Sequence, residues 1–69
     1  MKSVSGKELC KIVEQRGWAL KRTKGSHRIY AKVGVSAIIS IPVHGSRDLP
    51  IETLKGIMKD AGLTEADLT

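Results

Sequence analysis

The spacing of apolar residues changes period twice along this chain, and that change restricts its folds more than any other feature. Leu9, Ile12 and Val13 recur at helical spacing, with Cys10 alongside. Ser5-Gly6-Lys7-Glu8 fits a capping box ahead of them, the Ser5 oxygen accepting from the backbone at Glu8 and the Glu8 carboxylate reaching back. Gly17 is placed to cap the other end, which predicts a first helix over about 6–16. From Trp18 the period is two. Trp18, Leu20 and Arg22 fall on one side of a strand, and Lys24-Gly25-Ser26 is turn chemistry. In the next strand, 27–32, His27, Ile29 and Ala31 share one face while Arg28, Tyr30 and Lys32 share the other. Val33-Gly34 turns the chain again. Ala37, Ile39, Ile41 and Val43 then form the apolar face of a third strand, 36–43. Helical spacing returns after the polar loop 44–48: Pro50 suits a first turn, Ile51, Leu54, Ile57, Met58 and Ala61 line one side, and Gly62 ends it. Thr64-Glu65-Ala66-Asp67 opens a short final turn. The order α-β-β-β-α predicts an α+β fold, a three-stranded antiparallel sheet with both helices packed on one face and the other face wet.

Sixty-nine residues suit a single domain over 1–69. A chain this short buries only about 60% of the surface its unfolded form exposes. A deep cleft for a small molecule needs roughly 300 Å³ or more, so chemistry is expected on an open surface, with no small-molecule substrate. Twelve Lys and Arg against seven Asp and Glu give a net charge of +5. A positive field favours polyanions: nucleic acid, anionic membrane or an acidic protein. No acid lies between Glu14 and Asp48, a stretch that holds Arg16, Lys21, Arg22, Lys24, Arg28, Lys32 and Arg47. A surface charged only for solubility would intersperse both signs. One cysteine excludes an internal disulfide and suits a reducing cytoplasm, and its place in an apolar stripe reads as a buried thiol. Neither a signal peptide nor a membrane span is legible.

The carboxylates are too scattered to cluster around magnesium, no Cys/His set has zinc spacing, and no Gly-rich loop opens a helix. No metal or cofactor is implied. What stands out is Gly25-Ser26-His27 between Lys24 and Arg28. Histidine exchanges protons near neutral pH. RNA carries its own nucleophile, the 2′-hydroxyl, so cleaving it needs a base, cations for the phosphate charge and correct positioning. Gly25 allows close approach of a phosphate to the backbone, and Lys24 and Arg28 are placed to bind it. A lone histidine at a strand start is also an ordinary surface residue, and both readings stand on the residues alone. His44 is a secondary candidate, whose plainer reading is a loop residue at a helix entrance. Tyr30, between Arg28 and Lys32, is expected on the wet face, where it would stack a base or centre a protein interface. Trp18 reads as core or core rim. The helix from Ile51 to Ala61 carries charges of both signs on its polar face and reads as scaffold.

Taken together, helix 1, Arg16-Gly17-Trp18, Lys24-Gly25-Ser26-His27-Arg28-Ile29-Tyr30, Ile41-Pro42-Val43-His44-Gly45 and the run from Leu49 to Leu63 resemble the HicA toxins of bacterial toxin–antitoxin pairs. The motifs are short, but their order and spacing cover about 5–63. The resemblance implies a fold like a double-stranded-RNA-binding domain, ribonuclease activity that blocks translation of mRNA, and neutralisation by a HicB antitoxin. The family's catalytic histidine falls on His27 and its associated glycine on Gly25. A second histidine often follows in the family, and here that position is Arg28.

The expectation is a metal-independent endoribonuclease in the cytoplasm, with His27 as general base. Lys24 and Arg28 would hold the scissile phosphate, Gly25 and Ser26 would border it, and Lys21, Arg22, Tyr30 and Lys32 would track the strand. Two other readings differ in kind. One is a non-catalytic RNA-binding module of the same fold, and the other is a protein-interaction domain whose basic face docks an acidic partner.

Overall fold

The computed structural model describes residues 2–68. They form α1 (Gly6–Gln15), β1 (Ala19–Lys24), β2 (His27–Lys32), β3 (Val35–Pro42) and α2 (Ile51–Ala61), closed by a 3₁₀ turn over Glu65–Leu68. The strands make one antiparallel sheet in the order β1-β2-β3. The α+β architecture is the one the two changes of period predict. No helix among the described residues is long and apolar enough to cross a membrane.

Local chemistry sets the helix ends. Ser5 Oγ accepts from the Glu8 amide at 3.2 Å, and Glu8 Oε1 accepts from the Ser5 amide at 3.1 Å. This is the predicted capping box, and the backbone bond is the largest reason the Glu8 carboxyl sits below its ordinary range. Both helices stop the same way. The Trp18 amide donates to the Val13 carbonyl and that of Gly17 to Glu14, while Leu63 donates to Met58 and Gly62 to Lys59. Gly17 and Gly62 have φ of 94° and 69°, so each helix closes in a Schellman motif that a β-carbon would strain.

The covered face of the sheet is narrow and sharply defined. Tyr30, Ile39 and Ile41 are fully buried and join Leu9, Cys10 and Val13 of α1, Leu54, Ile57 and Met58 of α2, and Trp18. Ile38, one residue away from Ile39, is 65% exposed, so the helices cover one face only. Each fully buried aliphatic side chain contributes about 1.5–3 kcal/mol. The β3 alternation is as expected. In β2 it is reversed: Tyr30 belongs to the core, and its hydroxyl donates to Glu14 Oε2 at 2.5 Å. Burial and that acceptor raise the Tyr30 pKa above its ordinary value. The cause of the reversal is register. Tyr30 pairs with Ile39 and Arg28 with Ile41, so their parity follows the strand with the stronger apolar face.

A second departure lies in β1. Leu20 pairs with Tyr30 and Arg22 with Ile29, leaving Lys21 as the extra residue of a β-bulge. Alternation placed Leu20 and Arg22 together; the bulge puts Leu20 on the Tyr30 side and Arg22 on the open side. All six residues of β1 are exposed.

The segment after β3 is tied to the chain's start. The Leu49 amide donates to the Val4 carbonyl at 2.8 Å, and Ser5 bridges to Asp48. A β-carbon on Gly6 would overlap the Pro42 carbonyl oxygen, so α1 begins directly on the backbone at the end of β3. At the other end, Arg16 pairs with Asp67 in the final turn, where Leu68 is buried. Asp67 is held low chiefly by the Thr64 amide, with Arg16 adding to it. Arg16 thereby belongs to a structural pair as well as to the central run of cations.

Candidate nucleic-acid interface

A two-residue hairpin places the candidate histidine. Lys24 pairs with His27 across Gly25-Ser26, and Gly25 has φ of 59°, as the first central position of a type II′ turn requires. Nothing lies within 4 Å of where a Gly25 β-carbon would stand. The glycine is therefore required by the turn and also leaves its backbone open to a ligand. Ser26, at the turn's second position, accepts from the Val43 amide through its carbonyl at 2.7 Å, which fastens the turn to the end of β3.

His27 is exposed on the open face, away from the helices. Its parity had placed it with the covered residues, so its access follows from the reversal in β2. The ring is held: Nδ1 lies 3.1 Å from Ser40 Oγ. Ser40 is on β3, opposite Ile29, and is itself exposed. In the tautomer whose Nδ1–H donates to Ser40, the lone pair of Nε2 is left for a proton. Ser40 was not among the expected site residues. The signal that marks it is its parity, a hydroxyl on the polar side of an otherwise apolar strand.

Register sorts the cations. Lys24 is directly opposite His27, and Arg22, opposite Ile29, shares the open face. Arg28 does not. It is half-buried on the Tyr30 parity, cross-strand from Thr23 and Ile41, so Arg22 and not Arg28 stands with Lys24 on the open face. Tyr30 leaves the candidate surface altogether because its ring is core. Lys32 lies at the far end of β2, its stem beside Gly17. It is five residue steps from His27 along the strand, about 16 Å at 3.3 Å per residue. It lines a depression of about 230 Å³ with Lys21, Ala19, Ala31 and Val33. The open face thus has a polar end at His27 and, at its other end, Ala19 and Ala31 beside the bulged Lys21. Between them the exposed Ile38 and the half-buried Ile29 offer apolar area.

His44 is exposed just beyond β3. It lines a larger depression, about 330 Å³, with Pro42, Arg47, Asp48 and Thr53 among its walls. This is more room than the chain length led one to expect, and it lies where the loop before α2 bridges back to Ser5. Among the described residues no three His, Cys, Asp or Glu side chains gather as a metal-holding group.

A model of the HicA toxin family of bacterial toxin–antitoxin matches residues 6–63 of the chain. No curated protein matches it. The matched span runs from the first residue of α1 to just past α2 and takes in the whole sheet.

Proposed function

The chain belongs to the HicA toxin family of bacterial toxin–antitoxin pairs, and from that premise we propose that it is a metal-independent endoribonuclease that cuts mRNA and so blocks translation. One observation carries the reading: an exposed imidazole oriented by Ser40, beside Lys24 and Arg22 on the uncovered face of the sheet. In this mechanism Lys24 and Arg22 draw the scissile phosphate to the open face, and the Gly25-Ser26 backbone borders it. Nε2 of His27 removes the proton from the 2′-hydroxyl, whose oxygen attacks the adjacent phosphorus. The products are a 2′,3′-cyclic phosphate and a 5′-hydroxyl. Positioned acid–base catalysis contributes typically 10²–10⁴-fold, and orientation of the RNA supplies the remainder.

The same face is the natural target of neutralisation. We assign it to a HicB-like antitoxin that covers the His27 end with complementary charge, in the cytoplasm where mRNA is met. The deciding experiment compares wild type with His27→Ala on an RNA oligonucleotide and on the same strand with one deoxyribose at the cut. The expected result is cleavage of the all-ribose strand by wild type alone, leaving a cyclic phosphate. Equal cleavage of the deoxy-substituted strand rules the mechanism out. Retained RNA binding with no cleavage by wild type would instead establish a non-catalytic binding module.

A further inference from the structure

Cleavage by this route needs two proton transfers, and His27 accounts for one. The P–O5′ bond breaks with its electron pair on the 5′-oxygen, an alkoxide that leaves poorly unless it is protonated. The chain contains only one other histidine. The fold brings that histidine to the same end of the sheet. His27 is opposite Pro42, and the bond from the Val43 amide to the Ser26 carbonyl carries the β2–β3 pairing past the last paired residue. His44 is then two positions beyond the partner of His27. His44 sits in the loop that leaves β3; diagonal positions within a regular ladder have Cα atoms about 7–8 Å apart, a span two imidazoles bridge through one phosphate between them. Pro42 and His44 both line the depression of about 330 Å³.

That depression has the size and chemistry of a nucleotide seat. Its volume is at the lower limit of small-molecule sites, roughly 300 Å³. Arg47 supplies a guanidinium for a phosphate, Thr53 a hydroxyl, and Pro42 and Leu49 apolar area for a sugar or base edge. Asp48 lines it too, one carboxylate beside the Arg47 guanidinium. Its backbone is held by the bridge to Ser5 and by Leu49 donating to Val4, so the walls are tied to α1.

We propose that His44 is the general acid of the reaction and that the depression it lines seats the ribonucleotide on the 3′ side of the cut. The proposal rests on His27 being the base. His27 takes the 2′-hydroxyl proton, the 2′-oxygen–phosphorus bond forms as the phosphorus–5′-oxygen bond breaks, and His44, entering as imidazolium, gives its proton to the leaving oxygen. His27 ends protonated and His44 neutral, and exchange with water restores both.

A bridging sulfur in place of the 5′-oxygen separates the two roles, because a thiol (pKa about 8.5 for cysteine) is far more acidic than an alcohol and leaves as thiolate without an acid. Wild type, His27→Ala, His44→Gln and His44→Ala are each assayed on an RNA oligonucleotide with one cleavage position, in its ordinary and its 5′-thio forms. His44→Gln and His44→Ala are expected to cut the ordinary RNA at least about 100-fold more slowly and the 5′-thio RNA within a few-fold of wild type. His27→Ala is expected to lose both. Arg47→Gln is expected to raise KM about tenfold and to leave the ratio of the two substrates unchanged. Equal slowing of both substrates by the His44 variants, or no slowing of either, overturns the acid assignment. An unchanged KM in Arg47→Gln overturns the seat. Normal cleavage by His27→Ala would instead sink the base on which the proposal stands, a result distinct from the others.

Discussion

β1 and β3 are the two edges of one sheet, yet they share almost no chemistry. β1 exposes all six residues, three of them Lys or Arg. β3 has no charged residue and buries Ile39 and Ile41 under the helices. One edge holds the fold together and the other is free to meet a ligand. β2 divides the two tasks along its own length, with Tyr30 in the core and His27 three residues earlier on the open face. The lesson is that stability and the proposed RNA capture rest on separate side chains, so each can be perturbed without the other.

The largest test of that separation is on the covered face. Tyr30→Ala removes the biggest fully buried side chain and leaves Glu14 without its donor. It is expected to cost about 3–5 kcal/mol, enough to unfold much of so small a domain, as read by urea denaturation. A loss under about 1 kcal/mol would mean the helices do not seal that face. Next comes the open edge. The double change Arg22→Gln, Lys24→Gln is expected to weaken RNA binding about tenfold near 0.1 M salt. It should also flatten the log–log salt slope by about 1.4, two phosphates at about 0.7 each. Its melting temperature should stay within a few degrees of wild type. Lys55→Gln with Lys59→Gln on α2 serves as the control that changes neither slope nor stability. If the two pairs behave alike, net charge and not the open face governs binding.

The smallest effect sharpens the comparison by pH. Tyr30→Phe keeps the ring and loses one hydrogen bond, about 1 kcal/mol at neutral pH. In the folded protein the Tyr30 pKa is raised by burial and by the Glu14 acceptor. Its contribution is therefore complete below the ordinary tyrosine value of about 10 and is lost as pH climbs above it, because the unfolded chain ionises first. Melting temperatures of wild type and Tyr30→Phe should converge as pH rises from about 9 to 11. A gap that stays constant would show that the hydroxyl is not sequestered.

Much of the fold is legible in the pattern of residues. The capping box at Ser5 and Glu8 is local, spanning four consecutive residues, and so is each glycine stop at Gly17 and Gly62. The β3 apolar face is legible because Ala37, Ile39, Ile41 and Val43 agree with one another. β2 is not, because its two faces are nearly balanced: Ile29 and Ala31 compete with Tyr30 flanked by two cations. The candidate site was legible only in part. His27 and Gly25 stand out within a tripeptide, while Ser40 is thirteen residues on and invisible until the strands pair.

Periodicity and end signals alone decide that this chain is α-β-β-β-α, because helix caps, turns and alternation act between residues a few positions apart. Which face of β2 is covered is decided only when the sheet meets the helices. Register with Ile39 and Ile41 turns Tyr30 inward, and one bulged residue, Lys21, carries Arg22 across to the side of His27. Those outcomes depend on packing across the whole molecule, where a single residue of slip exchanges inside for outside.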